Sequence, residues 1–168
     1  MIYFVALGLC FAVIRGKDIR TLLQVHFDWP FLLIGSFLVQ VLLWTMTVSG
    51  NPVPTWVFDV TLMGVLVGLW RNRGIPGMWT ILIGTCLNFL AVATHGGFMP
   101  VSLSAWHESG HTTVQLQDSR HVIASDGGTD WLGDWIPLFR YVLSPGDIVA
   151  GVGMVMFIHR NSCKRYVA

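Results

Sequence analysis

Apolar residues in this chain come in long blocks separated by short polar punctuation. Five blocks stand out. Residues 1–14 are closed by Arg15-Gly16-Lys17, and residues 30–48 by Ser49-Gly50-Asn51-Pro52. Residues 55–70 are closed by Arg71-Asn72-Arg73-Gly74, residues 77–94 by His95-Gly96-Gly97, and residues 145–158 by His159-Arg160. A helix that crosses a bilayer needs about 20 apolar residues, with a working range near 17–25. The second and fourth blocks meet that range. The others fall short by a few residues, a deficit that snorkelling arginines, interfacial tryptophans and a thinned bilayer can cover. The pattern predicts an all-α integral membrane protein of five transmembrane helices, forming one membrane domain over residues 1–168. Residues 95–144 are expected to form a small external cap of a short hairpin and loops between helices four and five. No basic residue precedes the first block and no small-x-small cleavage pattern follows it, so it reads as a retained helix.

Composition agrees with this solvent. Of 168 residues, 54% are hydrophobic and 11% charged, where an ordinary soluble domain carries about 25% charged residues. Mean hydropathy is +0.63. These values exclude a disordered chain, and a net charge of +1 argues against a nucleic-acid partner. Of the ten Lys and Arg residues, eight (Arg15, Lys17, Arg20, Arg71, Arg73, Arg160, Lys164 and Arg165) follow the first, third and fifth blocks. Only Arg120 and Arg140 lie in the cap. The positive-inside rule then predicts a multi-pass protein with its N-terminus outside and its C-terminus cytoplasmic. Cys10, Cys86 and Cys163 suggest neither a disulfide nor a metal framework.

Inside the blocks, small residues mark expected helix contacts. Gly64 and Gly68 form a small-xxx-small pair, Gly84 lies one turn from Asn88, and Gly151 and Gly153 fall in the last block. Gln40 and Asn88 are the polar residues deepest in the expected bilayer, and each needs a partner there. Ser144-Pro145-Gly146-Asp147 has the form of a helix start: Ser144 caps, Pro145 occupies the first helical position, and Asp147 completes a capping box. A proton-relay role for Asp147 is the alternative.

The cap holds four of the six histidines (His95, His107, His111 and His121) and five of the nine acidic residues. Residues 112–117 and 120–125 read as a β-hairpin around Asp118-Ser119, and Asp126-Gly127-Gly128 as a turn. Trp131 and Trp135 are expected to anchor the return at the interface. His107-Glu108-Ser109-Gly110-His111 fits H-E-x-x-H, in which two histidines one helical turn apart bind zinc and the glutamate acts as base. That chemistry requires a continuous helix. Gly110 sits where a helix would end, and Thr112-Thr113-Val114 favours extended chain. No metal site is therefore assigned; were one to form, His121 or a nearby Asp would be the third ligand.

Three strings together resemble a known family. They are Asn88 followed by His95-Gly96-Gly97-Phe98-Met99-Pro100-Val101, then Trp131-Leu132-Gly133-Asp134, then Leu143-Ser144-Pro145-Gly146-Asp147. In order and spacing they resemble the bacterial membrane-protein family called domain of unknown function 5317, over nearly the whole chain. This chain has His95 where the family usually has Asn, and Pro145 where an apolar residue is commoner. The resemblance implies a small protein of the bacterial plasma membrane, brings no activity or cofactor, and marks Asn88, Gly96, Gly97, Met99, Pro100, Gly133, Asp134, Ser144, Gly146 and Asp147 as motif residues.

Three functions compete. With no catalytic constellation in view, the first is a non-enzymatic accessory or interaction subunit whose partners are the lipid bilayer and other membrane-protein subunits. The second is a binding or transport protein for a quinone or lipid, with Gln40, Asp59 and Asn88 supplying polar contacts. The third is a zinc-dependent membrane hydrolase through His107, Glu108 and His111. No cofactor is expected.

Overall fold

A computed structural model describes residues 2–51, 53–112, 121–124 and 130–164. Five long helices and one short one carry the chain: α1 (Ile2–Ile14), α2 (Pro30–Val48), α3 (Thr55–Arg71), α4 (Met78–Thr94), α5 (Leu103–Glu108) and α6 (Pro145–Asn161). Short strands complete it: β1 (Lys17–Asp18), β2 (Met99–Val101), β3 (His121–Ile123), β4 (Ile136–Leu138), β5 (Tyr141–Leu143) and β6 (Cys163–Lys164). Each apolar block folds as a helix. The helices form a row in the order α1, α6, α4, α3, α2, with α4 against α6 the most extensive contact.

The five-span reading does not survive this arrangement. Only α2, with 19 residues, is long and apolar enough to cross a membrane among the described residues. Helices α3, α4 and α6 have 17 residues each and α1 has 13. At about 1.5 Å per residue, 17 residues reach about 25 Å, short of a hydrocarbon core about 30 Å thick. Asp59 also lies within α3, and Asp147 and Arg160 within α6. The apolarity of α4 has another source: it lies between α3 and α6, where Met78, Ile81, Leu82, Ala91 and Val92 are buried in the bundle core. In contrast, only 11% of the apolar window of α2 is buried.

Glycines set how closely the helices approach. Gly77 and Gly84 lie seven residues apart at the start and middle of α4, as do Gly146 and Gly153 on α6, so each pair shares a helix face. A Cβ placed at Gly84 would come within 2.8 Å of the Ala150 Cα, and one at Gly153 within 2.6 Å of the Ile81 backbone nitrogen. At Gly77 it would lie 2.7 Å from the Gly153 carbonyl oxygen. Backbone therefore meets backbone at both ends of the seam. On the far side of the row, Gly68 accepts the Leu33 side chain, and Gly64 faces Ser36 and Leu32, where α3 crosses α2. Gly151 lies against the Phe4 ring and Gly8 against Val155 and Ile158, which seats α1 on α6.

One end of the bundle gathers the basic residues. β1 pairs antiparallel with β6, and Lys17 Nζ donates to the His159 carbonyl. The buried Asn72 amide exchanges two hydrogen bonds with the Asp28 backbone (2.7 and 2.8 Å) and donates to the Gly68 carbonyl. This ties the start of α2 to the end of α3. His159 packs on Phe11, with ring centroids 4.9 Å apart. Burial of the ring, together with the nearby charges of Lys17, Arg15 and Arg160, lowers its pKa.

Two predictions follow from these contacts. Gly84→Ala adds a methyl group with no space for it, so the thermal midpoint in mild detergent should fall by the equivalent of about 1–3 kcal/mol. Gly35→Ala on α2, where a Cβ meets nothing within 4 Å, should hold or raise the midpoint through helix propensity alone. For His159 the unfolded chain takes up the proton more readily than the folded one. Its contribution is therefore complete above the ordinary histidine pKa of about 6.5 and lost as pH falls through the lowered value. The midpoint should drop more between pH 7 and pH 5 in the wild type than in His159→Phe.

Candidate functional site

The polar end of the α4–α6 seam is closed by a small hydrogen-bonded knot. Ser144 is fully buried and caps α6: its hydroxyl oxygen accepts from the Asp147 N–H (3.0 Å), and Asp147 Oδ2 accepts from the Ser144 N–H (3.3 Å). Asn88 on α4 joins both. Its Nδ2 donates to Asp147 Oδ1 (3.0 Å), and its Oδ1 accepts from the Ser144 hydroxyl (2.8 Å). Gly146 leaves the space this requires, because a Cβ there would collide with the Asn88 side chain. Asn88, Ser144, Gly146 and Asp147 are thus one structural unit, with the Asp147 carboxylate already engaged on both oxygens.

Beyond the knot lies the cap. Met99, Pro100 and Val101 in β2 are all buried. β2 pairs in parallel with β3 on one side. On the other, the Asp134 N–H donates to the Pro100 carbonyl and the Ser102 N–H to the Asp134 carbonyl, both at 2.8 Å. Of the expected hairpin over 112–125, His121–Ile123 is a strand, and it pairs with β2. Residues 113–120 and the turn at 126–128 lie outside the described residues. Gly96 (φ +65°) and Gly97 (φ +91°) take left-handed conformations that turn the chain out of α4, and Gly97 packs on Thr55. Gly133 is buried beside Asp134.

Among the described residues β4 and β5 form a hairpin, with Leu138 paired to Tyr141 across the two-residue loop Phe139-Arg140. Phe139 has φ +54°, at a position where such tight loops usually place glycine. Tyr3 at the start of α1 packs on both Phe139 and Tyr141, with centroids 5.7 and 5.8 Å away. These contacts hold the loop, and with it Arg140, over the end of α2.

A cavity of about 400 Å³ opens there. Its apolar walls are Trp44 and Val48 from the last turns of α2, with Val101 and Val142 from the cap. His111, His121, Asp134, Arg140 and Tyr141 supply its polar groups. His121 Nε2 lies 3.5 Å from Asp134 Oδ2, and Asp134 is 7% exposed. A second cavity of about 380 Å³ adjoins it, lined by Ser109, Gly110, His111, Arg140 and Tyr141. Together they show a compartment with one apolar and one polar lobe.

The H-E-x-x-H string does not take the continuous helical geometry that its zinc chemistry requires. α5 ends at Glu108, and Gly110 turns the chain with φ +90°. His111 therefore leaves the helix, stacks on Trp106 (centroids 3.9 Å apart) and shares its Nδ1 with the Ser109 hydroxyl (2.9 Å). His107 Nδ1 meets the His111 carbonyl at 3.0 Å. Among the described residues no three His, Cys, Asp or Glu side chains are grouped closely enough to hold a metal ion. Gln40, Asp59 and Asn88 do not converge on the cavity either. Gln40 Nε2 and Asp59 Oδ1 are buried with no hydrogen-bond partner among the described residues, whereas Asn88 belongs to the knot. The sequence singles out Val101, His111, His121, Asp134 and Arg140 among the lining residues, but nothing local in it points to Trp44, Val48, Trp106 or Tyr141.

Fold and site define a small helical bundle whose helices carry a strand-built cap over a two-lobed compartment. Residues 24–159 match the family of unknown function DUF5317, and the chain belongs to it. No curated protein and no solved structure matches the chain.

The knot makes a quantitative prediction. Asn88→Ala should lower stability by about 1–3 kcal/mol, because the buried Ser144 and the half-buried Asp147 each lose a bond. Ser144→Ala should cost about 0.5–2 kcal/mol as a lost cap. The double variant, measured by thermal or denaturant unfolding, should lose less than the two together, since both substitutions break one network.

Proposed function

We propose that the protein is a non-enzymatic interaction subunit of the bacterial plasma membrane, held in the bilayer by α2. The observation that carries this reading is the outer face of α2. Phe31 is 89% exposed and Phe37 62%, and Ile34, Leu38 and Leu42 are also more than half exposed. Within the chain α2 packs on α3, and little of its apolar surface is covered. An apolar patch of this extent on a folded protein marks a membrane or protein contact. The basic end of the bundle, with Arg15, Lys17, Arg20, Arg71 and Arg73, suits the anionic cytoplasmic surface. Membership of DUF5317 is compatible with this reading and names no reaction.

Membrane fractionation tests it. Wild-type protein should stay in the pellet after alkaline carbonate extraction, and the double variant Ile34→Lys, Leu38→Lys should be released. Each lysine near the middle of a membrane helix costs about 2.5–3.5 kcal/mol. Release of the wild type would overturn the anchor. Native mass measurement after gentle detergent extraction tests the second half: a bound subunit is expected, and a solitary monomer would count against an interaction role.

A further inference from the structure

We infer that the two-lobed compartment under the cap is a binding site for an amphiphile with one acyl chain in the apolar lobe and an anionic headgroup in the polar lobe. The inference goes beyond membrane anchoring and does not depend on it, since a soluble protein could bind such a molecule in the same way. Each lobe selects one half of the ligand. Trp44, Val48, Val101 and Val142 give the first lobe an apolar wall, and its volume of about 400 Å³ lies within the usual range of small-molecule sites.

The second lobe has the opposite character. Ser109, Gly110, His111, Arg140 and Tyr141 line it, and among the described residues no carboxylate does. The Arg140 guanidinium and the Tyr141 hydroxyl make no hydrogen bond or ion pair with the described residues. A guanidinium that bonds to none of the described residues, beside a phenolic hydroxyl, suits a carboxylate or phosphate. The acidic side chain nearby, Asp134, lines only the first lobe and faces His121 at 3.5 Å. His111, Arg140 and Tyr141 line both lobes. A headgroup held by Arg140 therefore leaves its chain to run towards Trp44 and Val48.

Fluorescence quenching of the full chain in non-ionic detergent tests this, because Trp44 and Trp106 both line the compartment. Dibromostearate should quench in a saturable phase, and Trp44→Phe should reduce that phase. Arg140→Gln should weaken it by about tenfold or more, as expected for one lost charge-assisted bond. Arg140→Lys should restore part of the affinity. The dibrominated fatty alcohol, with the same chain and no charge, should lack the saturable phase. Displacement by dioleoylphosphatidylglycerol would assign the headgroup to a phospholipid; displacement by oleate alone would assign it to a free fatty acid. Equal affinity of wild type and Arg140→Gln, equal binding of acid and alcohol, or no saturable phase at all would overturn the proposal. None of these results bears on whether α2 anchors the protein, which extraction measures separately.

Discussion

The close approach of α4 and α6 is the contact on which the other parts of this molecule depend. Two glycines on each side bring the backbones together, and close approach gains dispersion contacts that larger side chains would prevent. It also forces a problem at its polar end, where Asn88 is carried against the first turn of α6. An amide placed there without partners would be costly. The capping box of α6 resolves it: Ser144 and Asp147 need partners to organise the helix start, and Asn88 supplies a donor to one and an acceptor to the other. Glycine seam and polar knot thus form a single device, since the Asn88 bonds exist only because Gly146 has no side chain.

The cap inherits its position from that device. Ser144 follows directly on β5, so fixing the start of α6 fixes the strand before it, and β4 is paired to β5. The loop between them carries Arg140. On the other side, α4 leads through Gly96 and Gly97 into β2, whose carbonyls and N–H groups are joined to Asp134 and β3. Both walls of the compartment therefore descend from the two helices of the seam. Of the described lining residues of the larger lobe, Trp44 and Val48 come from outside the cap, from α2, the helix whose apolar face the bundle leaves open.

Helices were legible in the chain because their punctuation is local. Ser144-Pro145 and the glycine pair at 96–97 declare ends within a few residues. Crossing a membrane was not legible in the same way, since hydropathy records how apolar a segment is and not what covers it. α4 and α2 look alike in sequence, yet one is apolar because sibling helices surround it and the other because its outer face is open. The knot was half visible: the capping box could be read from its spacing, but the arrival of Asn88 from 56 residues away could not. The parallel pairing of β2 with β3 and the gathering of His111, Arg140 and Tyr141 were likewise invisible, because each joins segments that share no local pattern.

H-E-x-x-H shows why spacing must be weighed against backbone. The motif carries chemistry only if four residues make one helical turn with both rings on one face. Here the helix stops inside the motif, at Glu108, and a glycine with φ +90° sends the second histidine elsewhere. The consequence is not an empty version of a zinc site but a different structure. His111 is laid flat on Trp106, with Nδ1 held by Ser109, and the ring becomes a wall shared by the two lobes. The glycine that removes the residue from a metal-binding geometry is the same one that brings it beside Arg140.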